Sequence, residues 1–232
     1  MIRVFPRRTK WTPNDALAFI GEPPLFRPPE QPVRVSVTFT WDVSEGQRLA
    51  RAWGGYYHDV QIGGPALDDP GGAFEPGRFI RPGVTITSRG CPRRCPFCFV
   101  ARREGALREL PIRDGWIVND NNLLACSRRH VEAVFEMLAH QPRAAQFNGG
   151  LDARLLTDWH RRLLDGIRIK EMWFACDTAA GFPALKRAAA ILDGIPEYKR
   201  RALAKKWSRP AAYRQAQLDV PKGERMLEIC LH

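Results

Sequence analysis

The sequence predicts an α/β protein: a partial (β/α) barrel of parallel strands, preceded by a small β-α-β unit. Three observations lead there. Four segments rich in β-branched or aromatic residues, 84–88 (VTITS), 116–120 (WIVND), 144–148 (AAQFN) and 171–176 (EMWFAC), begin about 30 residues apart, the length of a strand plus a returning helix. The segments between them repeat apolar residues at helical spacing. Upstream, the alternating run 33–40 (VRVSVTFT) and the short run 58–62 flank a helical stretch closed by Gly54-Gly55.

Taken in order, residues 1–32 hold Pro6, Pro13, Pro23, Pro24, Pro28, Pro29 and Pro32. Proline fixes φ and removes a backbone donor, so this stretch reads as an extended lead-in that packs on, or trails from, the next unit. Ser44 caps a helix running to about Trp53, and Gly63-Gly64-Pro65 turns the chain after the second strand. Residues 68–82 are a glycine- and proline-rich linker. In the repeating part, Ser127 caps a helix with Val131, Val134, Phe135 and Leu138 on one face. Thr157 opens another that buries Trp159, Leu163 and Leu164. Pro183 starts a third, with Leu185, Ala188, Ala189 and Leu192, closed by Gly194. After residue 195 the alternation stops. Residues 197–217 are basic and helical in character, and 226–231 is a candidate last strand. The expected domains are 1–80, lead-in plus β-α-β unit; 81–195, the partial barrel; and 196–232, a basic tail.

Composition narrows the class. With 44% hydrophobic residues in a 232-residue chain, a packed core is expected. No apolar run reaches the roughly 18–20 residues of a membrane span, and the basic residues 1–10 lead into no apolar stretch of a secretory signal. A cytoplasmic protein with no membrane partner is the expectation. The net charge is +11, from 36 Lys and Arg against 25 acids. A nucleic acid is therefore a candidate partner, although arginine spread along the whole chain equally describes a solvated basic surface.

Six cysteines are present, and three of them crowd into 91–98. Clustered cysteines in a reducing compartment point to metal or redox chemistry rather than disulfides. The loop reads Arg89-Gly90-Cys91-Pro92-Arg93-Arg94-Cys95-Pro96-Phe97-Cys98, a C-x3-C-x2-C spacing directly after a strand. Three thiolates on a four-iron cube leave one iron without a protein ligand, open to a small molecule. A structural zinc site wants four ligands, and the nearest extra candidates, Cys126 and His130, lie in another segment. A ferredoxin wants a fourth cysteine, and a disulfide with a leftover thiol wants an oxidising compartment. Cys126 and Cys176 read as small buried residues.

C-x3-C-x2-C with an aromatic, Phe97, before the third cysteine resembles the radical SAM signature. The stretch "ITSRGCPRRCPFCFVARREG" resembles the first-strand loop of radical SAM proteins of the cobalamin-binding and methylthiotransferase types. "IVNDNNLL", "FNGGLDARLL" and "WFACD" resemble their second, third and fourth strand ends, so the resemblance covers about residues 60–194. It implies that Cys91, Cys95 and Cys98 hold a [4Fe–4S] cluster, and that the free iron chelates S-adenosylmethionine. An electron from an external reductant then cleaves the sulfonium, giving a 5′-deoxyadenosyl radical. It further implies that the backbone near Phe97 faces the adenine, and that Asp120 and Asn122 lie near the methionine amino group. Asn148, Asp152 and Arg154 would contact ribose and carboxylate, and Asp177 is the catalytic candidate.

Two departures shape the expectation. Cobalamin-binding relatives carry a D-x-H-x-x-G loop in a full Rossmann-like domain. Here His58 is followed by Asp59-Val60, which argues against cobalamin and makes the amino-terminal unit a remnant of such a domain. The family's barrel has six βα units, whereas four are clear here. The reading is thus a shortened radical SAM enzyme of unspecified substrate, with nucleic acid as one candidate. The alternative is a non-catalytic iron–sulfur or zinc module with a basic, nucleic-acid-binding surface.

Overall fold

The computed structural model describes residues 1–69, 73–96, 98–176 and 179–193. The expected closing Gly194, the basic stretch 197–217 and the strand at 226–231 lie outside the described residues. The described residues form two compact units, one within Met1–Val84 together with Arg102–Glu104, the other of the remaining described residues from Thr85 on.

The first unit is a four-stranded parallel sheet of β1 (Ile2–Phe5), β2 (Ala18–Ile20), β3 (Val33–Ser36) and β4 (Val60–Gly63), in the order β2-β1-β3-β4. Helix α1 (Val43–Gly54) links β3 to β4. Ile2, Val4, Val33, Val35, Leu49 and Trp53 are fully buried in its core, each contributing about 1.5–3 kcal/mol of transfer free energy. This corrects the expected lead-in. Met1 to Pro32 does not trail from the unit; it supplies an interior strand and an edge strand. The prolines fall between these strands rather than in them, and the strands are too short to show a period of two. The buried Arg3 is tolerated because its guanidinium donates to Gly77 O at 3.0 Å and Arg78 O at 2.9 Å and pairs with Asp15.

The strand expected over 33–40 ends at Ser36, and Thr40–Asp42 is already a 3-10 turn entering α1. Gly64 sits at φ +113° so close to Val37 that a Cβ would lie 2.7 Å from its carbonyl oxygen. Only glycine fits that turn.

The elements from Val84 on, which belong to the second unit apart from Val84 itself and the Arg102–Arg103 end of α2, are β5 (Val84–Thr85), β6 (Ser88–Arg89), the one-turn helix α2 (Val100–Arg103), β7 (Arg108–Glu109), β8 (Ile117–Val118), α3 (Arg128–Ala139), β9 (Ala145–Asp152), α4 (Asp158–Asp165), β10 (Ile169–Ala175) and α5 (Phe182–Leu192). Strands β5, β8, β9 and β10 lie side by side in chain order, with β8–β9 and β9–β10 parallel. Among the described residues this sheet is open, with β5 and β10 at its edges. The protein is thus α/β, with parallel-strand sheets and helices between strands.

The helix starts expected in this unit hold, whereas in the first unit the expected cap Ser44 lies inside α1, which begins at Val43 with Asp42 before it. Ser127 Oγ accepts from His130 N at 3.2 Å, Thr157 and His160 form a capping box, and Pro183 lies in the first turn of α5. Two strands differ. The expected strand 84–88 splits, because Ser88–Arg89 leaves the sheet to pair antiparallel with Arg108–Glu109. The expected strand 144–148 runs on to Asp152 through a bulge. Phe147 pairs with Met172 and Leu151 with Phe174, so residues 148–150 stand opposite Trp173 alone. Gly149-Gly150, which reads as a strand end, permits this. A Cβ on Gly149 would overlap the Asp120 backbone, and Gly150 sits at φ +82°.

Candidate functional site

The cysteine loop hangs from a short antiparallel ribbon. Strands β6 and β7 bracket the excursion 90–107, and Gly90, at φ +80°, packs so closely on the Ala106 backbone that any Cβ would collide. The loop is therefore anchored at its root while its cysteines are partly or fully exposed.

Three consecutive residues after β8 fasten that root. The Asp120 carboxylate, 2% exposed, accepts from Thr87 N at 2.6 Å, Thr87 Oγ1 at 2.6 Å and Ser88 Oγ at 2.8 Å. Asn121 Oδ1 accepts from Gly90 N at 3.0 Å. Asn122 Nδ2 donates to Cys91 Sγ at 3.4 Å. This is why the expected strand 84–88 splits: Thr87 N–H goes to a side chain instead of a neighbouring strand, and Thr87 O accepts from Leu110 N at 2.8 Å. Burial raises the Asp120 pKa above the ordinary carboxylate range, against the lowering effect of its donors.

Behind this zipper, His130 Nε2 lies 3.3 Å from Thr87 Oγ1. The Thr87 hydroxyl proton is already given to Asp120, so His130 Nε2 must be the donor. Burial pushes the Cys126 thiol up to about 11, which leaves it protonated at neutral pH.

On the other side of the loop, Arg93 Nε donates to Asp152 Oδ2 at 3.0 Å. Arg154 grips the same carboxylate, with Nε at 2.6 Å from Oδ1 and Nη2 at 3.0 Å from Oδ2. Burial alone would raise the Asp152 pKa, but hydrogen bonds from Arg154 and Arg93 hold it below the ordinary value. The Arg154 pKa is raised, chiefly by Asp152 and further by the nearby Cys95 and Cys91. The bulge in β9 makes this possible by carrying the strand on to Asp152.

The sequence-predicted residues thus separate. Cys91, Cys95, Asn122, Asp152 and Arg154 are brought together around the root of the loop. Asp120 is drawn inward beneath Thr87 and Ser88. Asn148 is half-buried inside the β9 bulge rather than at a strand end. Phe97 and Asp177 lie outside the described residues. Ser88 and Asn121 are legible in the sequence only as polar residues at strand ends, and sequence reasoning passed over Thr87 and Arg93. The signal available was two hydroxyls at the end of a strand otherwise built of valine and isoleucine.

The three sulfurs are expected to converge on one centre. Among the described residues no group of three His, Cys, Asp or Glu side chains is close enough to hold a metal ion. Cys91 Sγ is held back toward Asn122 Nδ2 and Arg93 N, the latter also at 3.4 Å, whereas Cys98 sits exposed on the turn closed by Cys98 N and Cys95 O. The donor chemistry nevertheless fits an iron–sulfur cluster. The set is all thiolate, and two N–H groups already point at one sulfur, the kind of contact that tunes cluster potential. Beside it, Asn122 Oδ1 is buried with no hydrogen-bond partner among the described residues, an acceptor available to a ligand.

No family model, curated protein or solved structure matches this chain. No helix among the described residues is long and apolar enough to cross a membrane.

Proposed function

We propose that the protein is a radical SAM enzyme built on a partial (β/α) barrel, with Cys91, Cys95 and Cys98 as the ligands of a [4Fe–4S] cluster. The observation that carries this reading is the Asn122–Cys91 contact. It joins the first residue of the C-x3-C-x2-C loop to the end of the next strand, with an unpartnered acceptor on the same amide. When bound, the cluster supplies the electron, received from an external reductant, that cleaves S-adenosylmethionine.

The chain's own residues have distinct parts in this account. Asn122 Oδ1 would accept a hydrogen bond from the methionine ammonium. Arg154 uses Nε and Nη2 on Asp152, and its remaining Nη1 would be the donor for the methionine carboxylate. Asp152, held ionised by Arg154 and Arg93, keeps both guanidinium groups beside the thiolates. Asp120 acts beneath the site, fixing Thr87 and Ser88 so that Gly90 and Cys91 emerge at the carboxyl end of the sheet. Nucleic acid, favoured by the net charge of +11, is the candidate substrate class.

Anaerobic reconstitution with iron and sulfide tests ligation. The wild-type chain is expected to become brown and to retain about four irons, the content of one such cluster. The Cys91→Ser/Cys95→Ser/Cys98→Ser variant should stay colourless. Equal iron retention by the variant, or stoichiometric zinc in a colourless wild-type protein, would refute the assignment.

A further inference from the structure

The first unit has a ligand-binding edge of its own. In the order β2-β1-β3-β4, the chain leaving β1 turns toward β2 on one side, and the chain leaving β3 runs toward β4 on the other. The connections diverge between the carboxyl ends of β1 and β3. Open parallel sheets bind ligands at such a reversal point. What lines this one is specific. Arg7, Arg8, Thr9 and Lys10 follow β1, and Phe39 to Asp42 lie after β3. Arg7 Nε donates to Asp42 Oδ2 at 2.7 Å, which ties the two lips together. Arg7 is thereby neutralised, whereas Arg8 and Lys10 remain exposed and have no ion-pair partner among the described residues.

Both lips are stiff. Thr9 N donates to Thr12 Oγ1 at 2.9 Å and Trp11 N to Thr9 Oγ1 at 3.1 Å, so the turn presenting the cations is hydrogen-bonded. Opposite, Phe39 and Trp41 stack with centroids 4.8 Å apart and planes 7° apart, yet Trp41 is 67% exposed. Phe39 covers one face of the indole and leaves the other to solvent. An aromatic platform braced from behind, one residue from an aspartate that binds Arg7, joins the segment carrying the exposed Arg8 and Lys10, the latter with its ammonium 4.5 Å from the Trp11 ring centroid; this combination matches a flat heterocycle carrying phosphate. We infer that this edge binds a nucleotide unit, its base on Trp41 and its phosphate at Arg8 and Lys10. The unit is either a free mononucleotide or one residue of a single strand. The inference does not depend on the cysteine loop.

The full chain is titrated with 5′-AMP by calorimetry and with a fluorescein-labelled single-stranded oligoadenylate by anisotropy. Trp41→Ala should weaken binding roughly tenfold or more, the usual loss for a stacked base, and Trp41→Phe should recover most of it. Arg8→Glu/Lys10→Glu should weaken binding and flatten the oligoadenylate salt slope by about 0.7 or more, the value for one phosphate. Binding of both probes, each lost in the variants, marks a site for any nucleotide; binding of the oligoadenylate alone, lost in the same variants, marks a single-strand site. Cys91→Ser should bind as wild type, which separates this result from the fate of the cluster. Failure of the wild-type chain to bind either probe, or wild-type affinity in both Trp41→Ala and Arg8→Glu/Lys10→Glu, would overturn the inference.

Discussion

Asp120→Ala should destabilise the protein by about 3–5 kcal/mol, the range for stripping the partner from buried, charge-assisted hydrogen bonds. The Thr87 amide and the hydroxyls of Thr87 and Ser88 would all lose their acceptor in a site closed to water. With those bonds goes the reason that β6 leaves the sheet, so the root of the cysteine loop should loosen as well. Two measurements check this: denaturant unfolding, and the rate at which a thiol reagent modifies Cys91. Asp120→Asn should cost less, because its Oδ1 still accepts from Thr87 N and the two hydroxyls can rotate to accept from Nδ2. Its pH behaviour has a definite sign. Burial raises the folded pKa of Asp120, so this group favours the native state most below the unfolded value of about 3.9. That contribution is lost as pH rises through the folded value. Wild type should therefore lose stability relative to Asp120→Asn across that rise. A flat difference would mean that the three donors to Asp120 fully offset the effect of its burial.

Gly149→Ala should cost about 3 kcal/mol, toward the upper end of what overpacking a tight site exacts. The obstacle is not a movable side chain but the backbone of Asp120, whose oxygen, carbon and nitrogen all lie within 3.0 Å of the added carbon. Either β8 retreats or the bulge in β9 flattens. Both outcomes touch the site, since β8 delivers Asp120 to Asn122 and the bulge delivers Asp152. Gly150→Ala, at φ +82° with open space around it, should be milder, because only backbone strain opposes it. Thermal unfolding of the two variants, with the Gly149 variant melting lower, checks the ranking.

Much of the second unit was legible in the sequence because helix and strand there alternate with strong local punctuation. Ser127 and Thr157 cap their helices through side chains, and the strands near 117, 145 and 169 carry β-branched or aromatic residues. What stayed hidden lacks a local signature. Strands β1 and β2 are four and three residues long and sit among prolines. Gly149-Gly150 looks like a terminator and is a bulge, because the requirement for glycine comes from Asp120, distant in sequence. The inward turn of Asp120 depends on hydroxyls more than thirty residues upstream, and no spacing rule announces it. The cysteine loop is the reverse case. Its spacing is legible in eight residues, whereas its setting, with Asn122 on one side and the Arg93–Asp152–Arg154 group on the other, required the fold.

The central claim is that this loop turns S-adenosylmethionine over. The direct test is anaerobic incubation of reconstituted protein with S-adenosylmethionine and dithionite, followed by chromatographic quantitation of 5′-deoxyadenosine and methionine. The account predicts both products in equal amounts from the wild-type chain, and neither from Cys91→Ser/Cys95→Ser/Cys98→Ser treated identically. A wild-type chain that carries its iron and sulfide yet yields no 5′-deoxyadenosine would contradict it and leave an iron–sulfur binding module in its place.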